Sequence, residues 1–405
     1  MAATNIIVIG NSPFHRGGAG PWAHHTLTNL LSAGHRVRAV FPIYPDKAEW
    51  RAAFRLRYPA VQAVWYDMPT AGDPFSDVPI NQLERQLTGM QTALDLLLDQ
   101  EEADLIYLTK ESSIWGISEF ARTRGLRCLA TLHGNLLTMV QRNDRAVRRQ
   151  AWIELYRQAE LVTCCAEHMT RSLGAAGLDN LVTLPNGVDV GRFRPRCRPT
   201  DLAARFGIAS DDVVMLHASN LHSIKRPLDL VRAFAGAVRR NDSLRLVIVG
   251  DGDMRCALER EARRLGVDRF IRLVGWVENG EMPNYYALAD FTVLPSASEG
   301  LSMACLESMA CGRFVVASDI PASRELIEDR VDGLLFPVGD VDALAEAMVD
   351  AAGTLRRGTL GDAARSRIER NFSLSRMQRR QLAIIERLTR SGASDRTGFR
   401  KINRT

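Results

Sequence analysis

No apolar run in this chain approaches the roughly 20 residues needed to cross a bilayer as a helix. Its start carries no leader pattern, because Asn5–Gly10 reads directly as a buried strand, and a secretory signal is therefore not expected. Seven cysteines, an odd number, occur without any C-x-x-C spacing. That argues against a disulfide framework and against a zinc site, and suits core fillers of a reduced, cytoplasmic protein. Aromatic residues make up only 7% of the chain beside an apolar fraction of 46%, the balance of a soluble globular protein with a sizeable core. Internal repeats are absent. The order G-x-G-x-x-G is missing, and no acid ends the second strand, which together exclude a dinucleotide site of the usual kind.

Charge of one sign is also scarce once it is divided along the chain. The formal net charge is +5, yet residues 376–405 hold nine Lys/Arg against two acids, a local +7, which leaves the first 375 residues near −2. Basicity confined to the tail is not a nucleic-acid footprint. It reads as a solvated extension, with weak peripheral contact to anionic lipid as the alternative use.

What the chain does have is strands alternating with amphipathic helices over 405 residues, room for two or three domains. The first strand, Asn5–Gly10, runs into a loop with Gly17, Gly18 and Gly20, where backbone can approach a ligand without side-chain obstruction. A helix is expected over Ala23–Ala33 and a strand over Arg36–Phe41, whereas residues 44–80, rich in Pro, Tyr and Trp, read as irregular, with short elements and acceptor-side loops. Strands at Leu105–Leu108 and Arg127–Leu132 exit into Lys110-Glu111-Ser112 and His133-Gly134, at the carboxyl ends where open α/β sheets gather ligands. A second series begins with a strand at Val213–His217, followed by Ser219-Asn220 and Lys225-Arg226, and continues with strands at Leu244–Val249 and Phe270–Leu273.

The stretch Pro295–Glu325 is the most informative. Phe291–Leu294 is a strand, the Ser/Ala/Gly-rich loop to Gly300 is turn material, and Ser302–Cys311 is a helix stopped by Gly312. Glu299 and Glu307 stand eight residues apart across the loop and helix. The amides of Gly300, Leu301 and Ser302 lie at the helix N-terminus, where free N–H groups and the macrodipole favour a phosphate.

This E-x7-E spacing, inside PSxxEGxxxxxLExMACGxxVVAS, resembles the signature of the retaining glycosyltransferases of family 4. The resemblance implies an α/β protein of the GT-B fold: two Rossmann-like doubly wound domains facing across a cleft, with a C-terminal helix crossing back to the first. It implies a retaining hexosyltransferase that uses a nucleotide sugar and needs no cofactor or catalytic metal. By the same carry-over, Glu299 holds the donor sugar's hydroxyls, Glu307 binds the ribose, and residues 300–302 hold the diphosphate and sugar. His133 contacts the sugar near the reacting centre, Gly17 and Gly18 face the donor phosphates, and Val277 offers backbone to the base. The usual pattern GR-x4-K becomes SN-x4-KR here, which keeps the cation at Lys225 but places Asn220 where Arg is expected, and Arg226 is the candidate to restore that charge. The variant resembles the branch containing the N-acetylglucosaminyl malate synthases. No Asp-x-Asp type acidic pair is expected after a suitable strand.

The expected division is residues 1–195 for acceptor binding, 196–374 for the nucleotide sugar, a crossover helix at 375–390, and a basic, disordered tail at 391–405. A UDP-sugar donor is expected, with N-acetylglucosamine favoured, and a small polar acceptor such as a cyclitol, aminocyclitol or hydroxy acid. A lipid-linked or polysaccharide acceptor stays open on account of the basic tail, as do an epimerase and a non-catalytic sugar-nucleotide binder. Nucleic acid is not expected as a partner.

Overall fold

The computed structural model describes residues 3–15, 18–68, 80–134, 146–354 and 359–390; Gly17 and the 391–405 tail lie outside them. Contacts divide the chain into two units, residues 1–185 with 378–405, and residues 186–377. The division therefore falls ten residues before the position read from sequence, and the final helix, Leu374–Arg390, contributes all but its first four residues to the N-terminal unit.

In the first unit, seven parallel strands are β1 (Asn5–Ile9), β2 (Arg36–Ile43), β3 (Gln62–Asp67), β4 (Leu105–Leu108), β5 (Arg127–Leu132), β6 (Leu161–Cys164) and β7 (Leu181–Thr183), in the order β3-β2-β1-β4-β5-β6-β7. Apart from the edge strand β3, their Val, Ile and Leu runs are buried on both faces, as a parallel sheet covered by helices requires. Arg38, in the middle of β2 and 7% exposed, is the exception. Its guanidinium donates to the carbonyls of Leu97, Glu101 and Glu102, and so closes the end of the helix Ile80–Leu98.

Two short elements stand within residues 44–80, where sequence gives no bounds for them. The helix Glu49–Arg57 buries Phe54 alone, so no apolar period marks it. Strand β3 is an edge strand, mostly half-buried, which blurs its alternation. One difference from the sequence reading concerns the glycine loop. The helix after β1 spans Ala19–Ser32, so Gly20 sits in its first turn, where a Cβ would lie 2.1 Å from the His15 carbonyl oxygen. That glycine serves a tight loop-to-helix approach.

The second unit has six parallel strands: β8 (Val213–Ala218), β9 (Leu244–Val249), β10 (Ile271–Gly275), β11 (Phe291–Leu294), β12 (Val315–Ser318) and β13 (Gly333–Phe336), in the order β10-β9-β8-β11-β12-β13. Its core packs Phe234, Phe291, Phe314 and Met348 around Leu246 and Ile248. The helix Met303–Ala310 follows β11, and Gly312, at φ 70°, takes the left-handed conformation that ends it.

Five cysteines are buried, but Cys197 and Cys256 are exposed, so those two are not core fillers. Among the described residues no helix is long and apolar enough to cross a membrane.

Candidate active site

In each sheet the strand order reverses once, and a doubly wound sheet opens a crevice beyond the carboxyl ends of its strands at that point. In the second unit the reversal lies between β8 and β11. Lys225 comes from the loop after β8 and Glu299 from the loop after β11. Their side chains meet there, Nζ to Oε1 at 2.6 Å, with 22% and 15% of the side chains exposed. Ser296 Oγ donates to the same Glu299 oxygen at 2.8 Å. The two loops are also joined by backbone, Ala297 N–H to the Ile224 carbonyl at 2.8 Å.

Beside this pair, Ser302 caps the helix Met303–Ala310, its Oγ accepting from Cys305 N–H. A cavity of about 10 Å³, roughly one water, lies behind Glu299 and is lined by Ser296, Ser302 and Ser323. Beneath the pair is a residue that sequence reasoning missed. His217 is fully buried, its ring held by the Val293 carbonyl at 2.8 Å and Ser219 Oγ at 2.7 Å. Burial, with a smaller contribution from Lys225, brings its pKa down to about 4, so at neutral pH it adds no second cation.

Glu307, in the second turn of the helix, does not join the Lys225–Glu299 pair. Its carboxylate is 8% exposed and accepts from Tyr286 OH at 2.9 Å, with the Asn279 side chain and the Arg192 guanidinium also facing it. Burial raises its pKa to about 7, against the opposing pull of these partners, Tyr286 foremost. Tyr286 and Arg192 carry no motif of their own; only the buried carboxylate identifies them.

The remaining second-unit candidates are placed less centrally. Arg226 stands in the left-handed region, φ 52°, and its guanidinium is bound to Asp229 at 2.6 Å. The charge expected to stand in for the missing Arg is thus engaged on its own helix. Asn220 is exposed. Val277 follows β10, the outermost strand on that side of the sheet. An Asp-x-Asp pair, Asp251 and Asp253, does follow β9. Asp253 pairs with the His222 ring at 2.7 Å, and Asp251 takes the Gly252 N–H at 2.9 Å. Among the described residues no group of three or more His, Cys, Asp or Glu is arranged to hold a metal.

In the first unit, His133 leaves β5 next to the sheet's reversal between β1 and β4. Its ring packs edge-on against Trp22, centroids 4.8 Å apart, and is hydrogen-bonded to the Thr109 backbone. Burial lowers its pKa to about 4, so the imidazole is neutral. The turn is held by Glu111, 4% exposed, whose Oε1 accepts the N–H groups of both His133 and Gly134. Glu111 was visible in sequence only as part of a strand exit. Gly18 is exposed and precedes the helix Ala19–Ser32.

Comparison with known proteins gives two family matches. The model described as Glycosyltransferase Family 4 covers residues 16–192, and that of Glycosyl transferases group 1 covers residues 212–353. A D-inositol 3-phosphate glycosyltransferase of Saccharomonospora viridis is 34% identical over 196 residues, 46% of this chain and 45% of that protein. An N-acetyl-alpha-D-glucosaminyl L-malate synthase of Bacillus anthracis is 26% identical over 227 residues, 55% of this chain and 58% of its own. The chain thus spans about half the length of these two curated relatives. Among solved structures, Anabaena HepE in complex with UDP-glucose superposes with a TM-score of 0.75 at 18% identity, over 94% of this chain and 99% of that one. The shared architecture is GT-B.

Proposed function

The chain belongs to glycosyltransferase family 4, and from that premise we propose that it transfers a hexosyl group from a UDP-sugar to a hydroxyl of a small polar acceptor, with retention of configuration. The observation that carries this reading is the Lys225–Glu299 pair at the strand-order reversal of the second unit, beside a helix N-terminus.

A sugar nucleotide is already activated, so the chemical task is to stabilise charge as its glycosidic bond breaks. The bonding pair leaves with the diphosphate, and Lys225 and the amides at residues 300–302 oppose that growing negative charge. Glu299, whose carboxylate also pairs with Lys225, is assigned to the sugar hydroxyls. The acceptor oxygen bonds to the anomeric carbon from the face the leaving group vacates, and its proton passes to the departing phosphate oxygen. His133, being neutral, is suited to a hydrogen bond with the sugar and not to acid catalysis. Glu307 is assigned to the ribose. No metal or cofactor is assigned.

Support for a small acceptor comes from the inositol phosphate and malate enzymes among the relatives, and the second also favours N-acetylglucosamine. UDP is supported by the HepE complex. A lipid-linked or polysaccharide acceptor is the alternative, favoured by the local +7 of residues 376–405. The test is nucleotide release from UDP- and GDP-sugars with inositol phosphate, malate and aminocyclitol acceptors, in EDTA, with and without anionic vesicles. Product stereochemistry is read from the anomeric proton coupling. An inverted product, or release from no donor, would overturn the proposal; strict dependence on vesicles would move it to the alternative.

A further inference from the structure

The helix Leu374–Arg390 presents one apolar stripe, with Met377, Ile384, Ile385 and Leu388 all buried. Gln381, 1% exposed, stands in the middle of that stripe. A buried primary amide is costly unless both its donors and its acceptor are matched. Here they are. Nε2 donates to Thr26 Oγ1 at 3.2 Å and to Tyr107 OH at 3.1 Å, and Oε1 accepts from Asn29 Nδ2 at 2.7 Å. The network continues through Tyr107 OH to Thr131 Oγ1 at 3.1 Å and on to Thr163 at 2.7 Å.

Two of the three partners lie on the helix Ala19–Ser32. Thr26 and Asn29 share a face with Trp22, at positions i+4 and i+7 from it. Trp22 is the residue whose ring bears on His133, and it also meets the edge of Tyr107, centroids 6.2 Å apart. Sliding the C-terminal helix by one turn would strand the Gln381 amide among apolar side chains and leave Thr26 and Asn29 without it. A polar residue of this kind fixes register more than it adds stability.

We propose that Gln381 is a positioning residue for His133. By setting the register of the C-terminal helix on the helix Ala19–Ser32, and by holding Tyr107, it fixes the Trp22 ring that seats the imidazole. This inference rests on the assignment of His133 to the donor sugar only for its effect on turnover; the mechanical link stands apart from it.

Gln381→Leu keeps the apolar stripe and removes the network, while Thr26→Val removes a single acceptor with little change in shape. The readouts are kcat, donor KM and the ring proton resonances of His133, identified among the eight histidines by their loss in His133→Ala. We expect kcat to fall about 10- to 100-fold in Gln381→Leu with donor KM unchanged, as a misplaced group would give. The His133 resonances should shift in both variants, less in Thr26→Val. Unmoved His133 resonances in both folded variants would overturn the proposal, as would equal loss of kcat and KM. If His133→Ala itself turns over normally while the resonances still shift, the functional assignment of His133 fails and the positioning link survives.

Discussion

Replacing Glu307 by Gln should make the protein more stable above neutral pH and a poorer nucleotide binder, and both effects follow from one carboxylate. Glu307 is 8% exposed, and burial raises its pKa from an ordinary 4.5 to about 7, Tyr286 offsetting part of the rise. Between those values the folded protein keeps a proton that the unfolded chain has lost, so stability falls as pH rises through that window and levels off above about 7. The full difference corresponds to about 3 kcal/mol. Glutamine retains an acceptor for the Tyr286 hydroxyl and does not titrate. Wild type and Glu307→Gln should therefore melt alike near pH 4.5 and diverge as pH rises. The variant should lead by about 6–12 °C at pH 8, given the usual conversion for a unit of this size. Thermal melts at four pH values between 4.5 and 8 measure it, together with UDP binding at the same points. Wild-type affinity should strengthen relative to the variant's as the carboxylate ionises, the ionisation of UDP's terminal phosphate being common to both. A melting difference that does not change with pH would refute the reasoning.

Three further outcomes are expected. Lys225→Ala and Glu299→Ala should each lower kcat by about 10²–10³, the range for removing one charge-stabilising group, while circular dichroism stays that of the wild type; wild-type rates in either would sink the site. His133→Ala should depress turnover more than nucleotide affinity, compared by steady-state kinetics and UDP titration; equal losses would make the residue structural. Arg226→Gly should leave kcat nearly unchanged, since the guanidinium is spent on Asp229 and glycine suits the left-handed backbone. A large drop in kcat there would mean that Arg226 serves the diphosphate after all.

Sequence made the second unit more legible than the first. The run 295–312 combines turn chemistry, a capped helix and two carboxylates at fixed spacing, all local features, and the structure places the loop and helix within a residue of expectation. Strands β4, β5, β9 and β11 match because each is a short, mostly apolar run buried on both faces. What stayed hidden was non-local. Tyr286 and Arg192 acquire meaning only when the fold brings them to Glu307. His217 looked like strand filler until Val293 and Ser219 were seen to bind its ring. Glu299 and Glu307 carry separate expected roles, and their surroundings differ: the helix turns Glu307 toward Tyr286, while Glu299 meets Lys225. In the glycine loop, Gly20 serves a tight backbone approach to the His15 carbonyl, which the sequence pattern does not distinguish from room for a ligand.

The amide bridge from Gln381 to Asn29 spans 352 positions of chain. During synthesis, therefore, residues 186–377 can emerge and fold while the earlier-made half still waits for the segment that completes it. At ribosomal rates of roughly 5–20 residues per second, that wait lasts on the order of 10–40 s. For that interval the Thr26 and Tyr107 hydroxyls lack their native amide, and apolar surface on the first-made half is open to chaperones. A nascent chain stalled short of residue 381 would carry a sound C-terminal half and an unfinished N-terminal one.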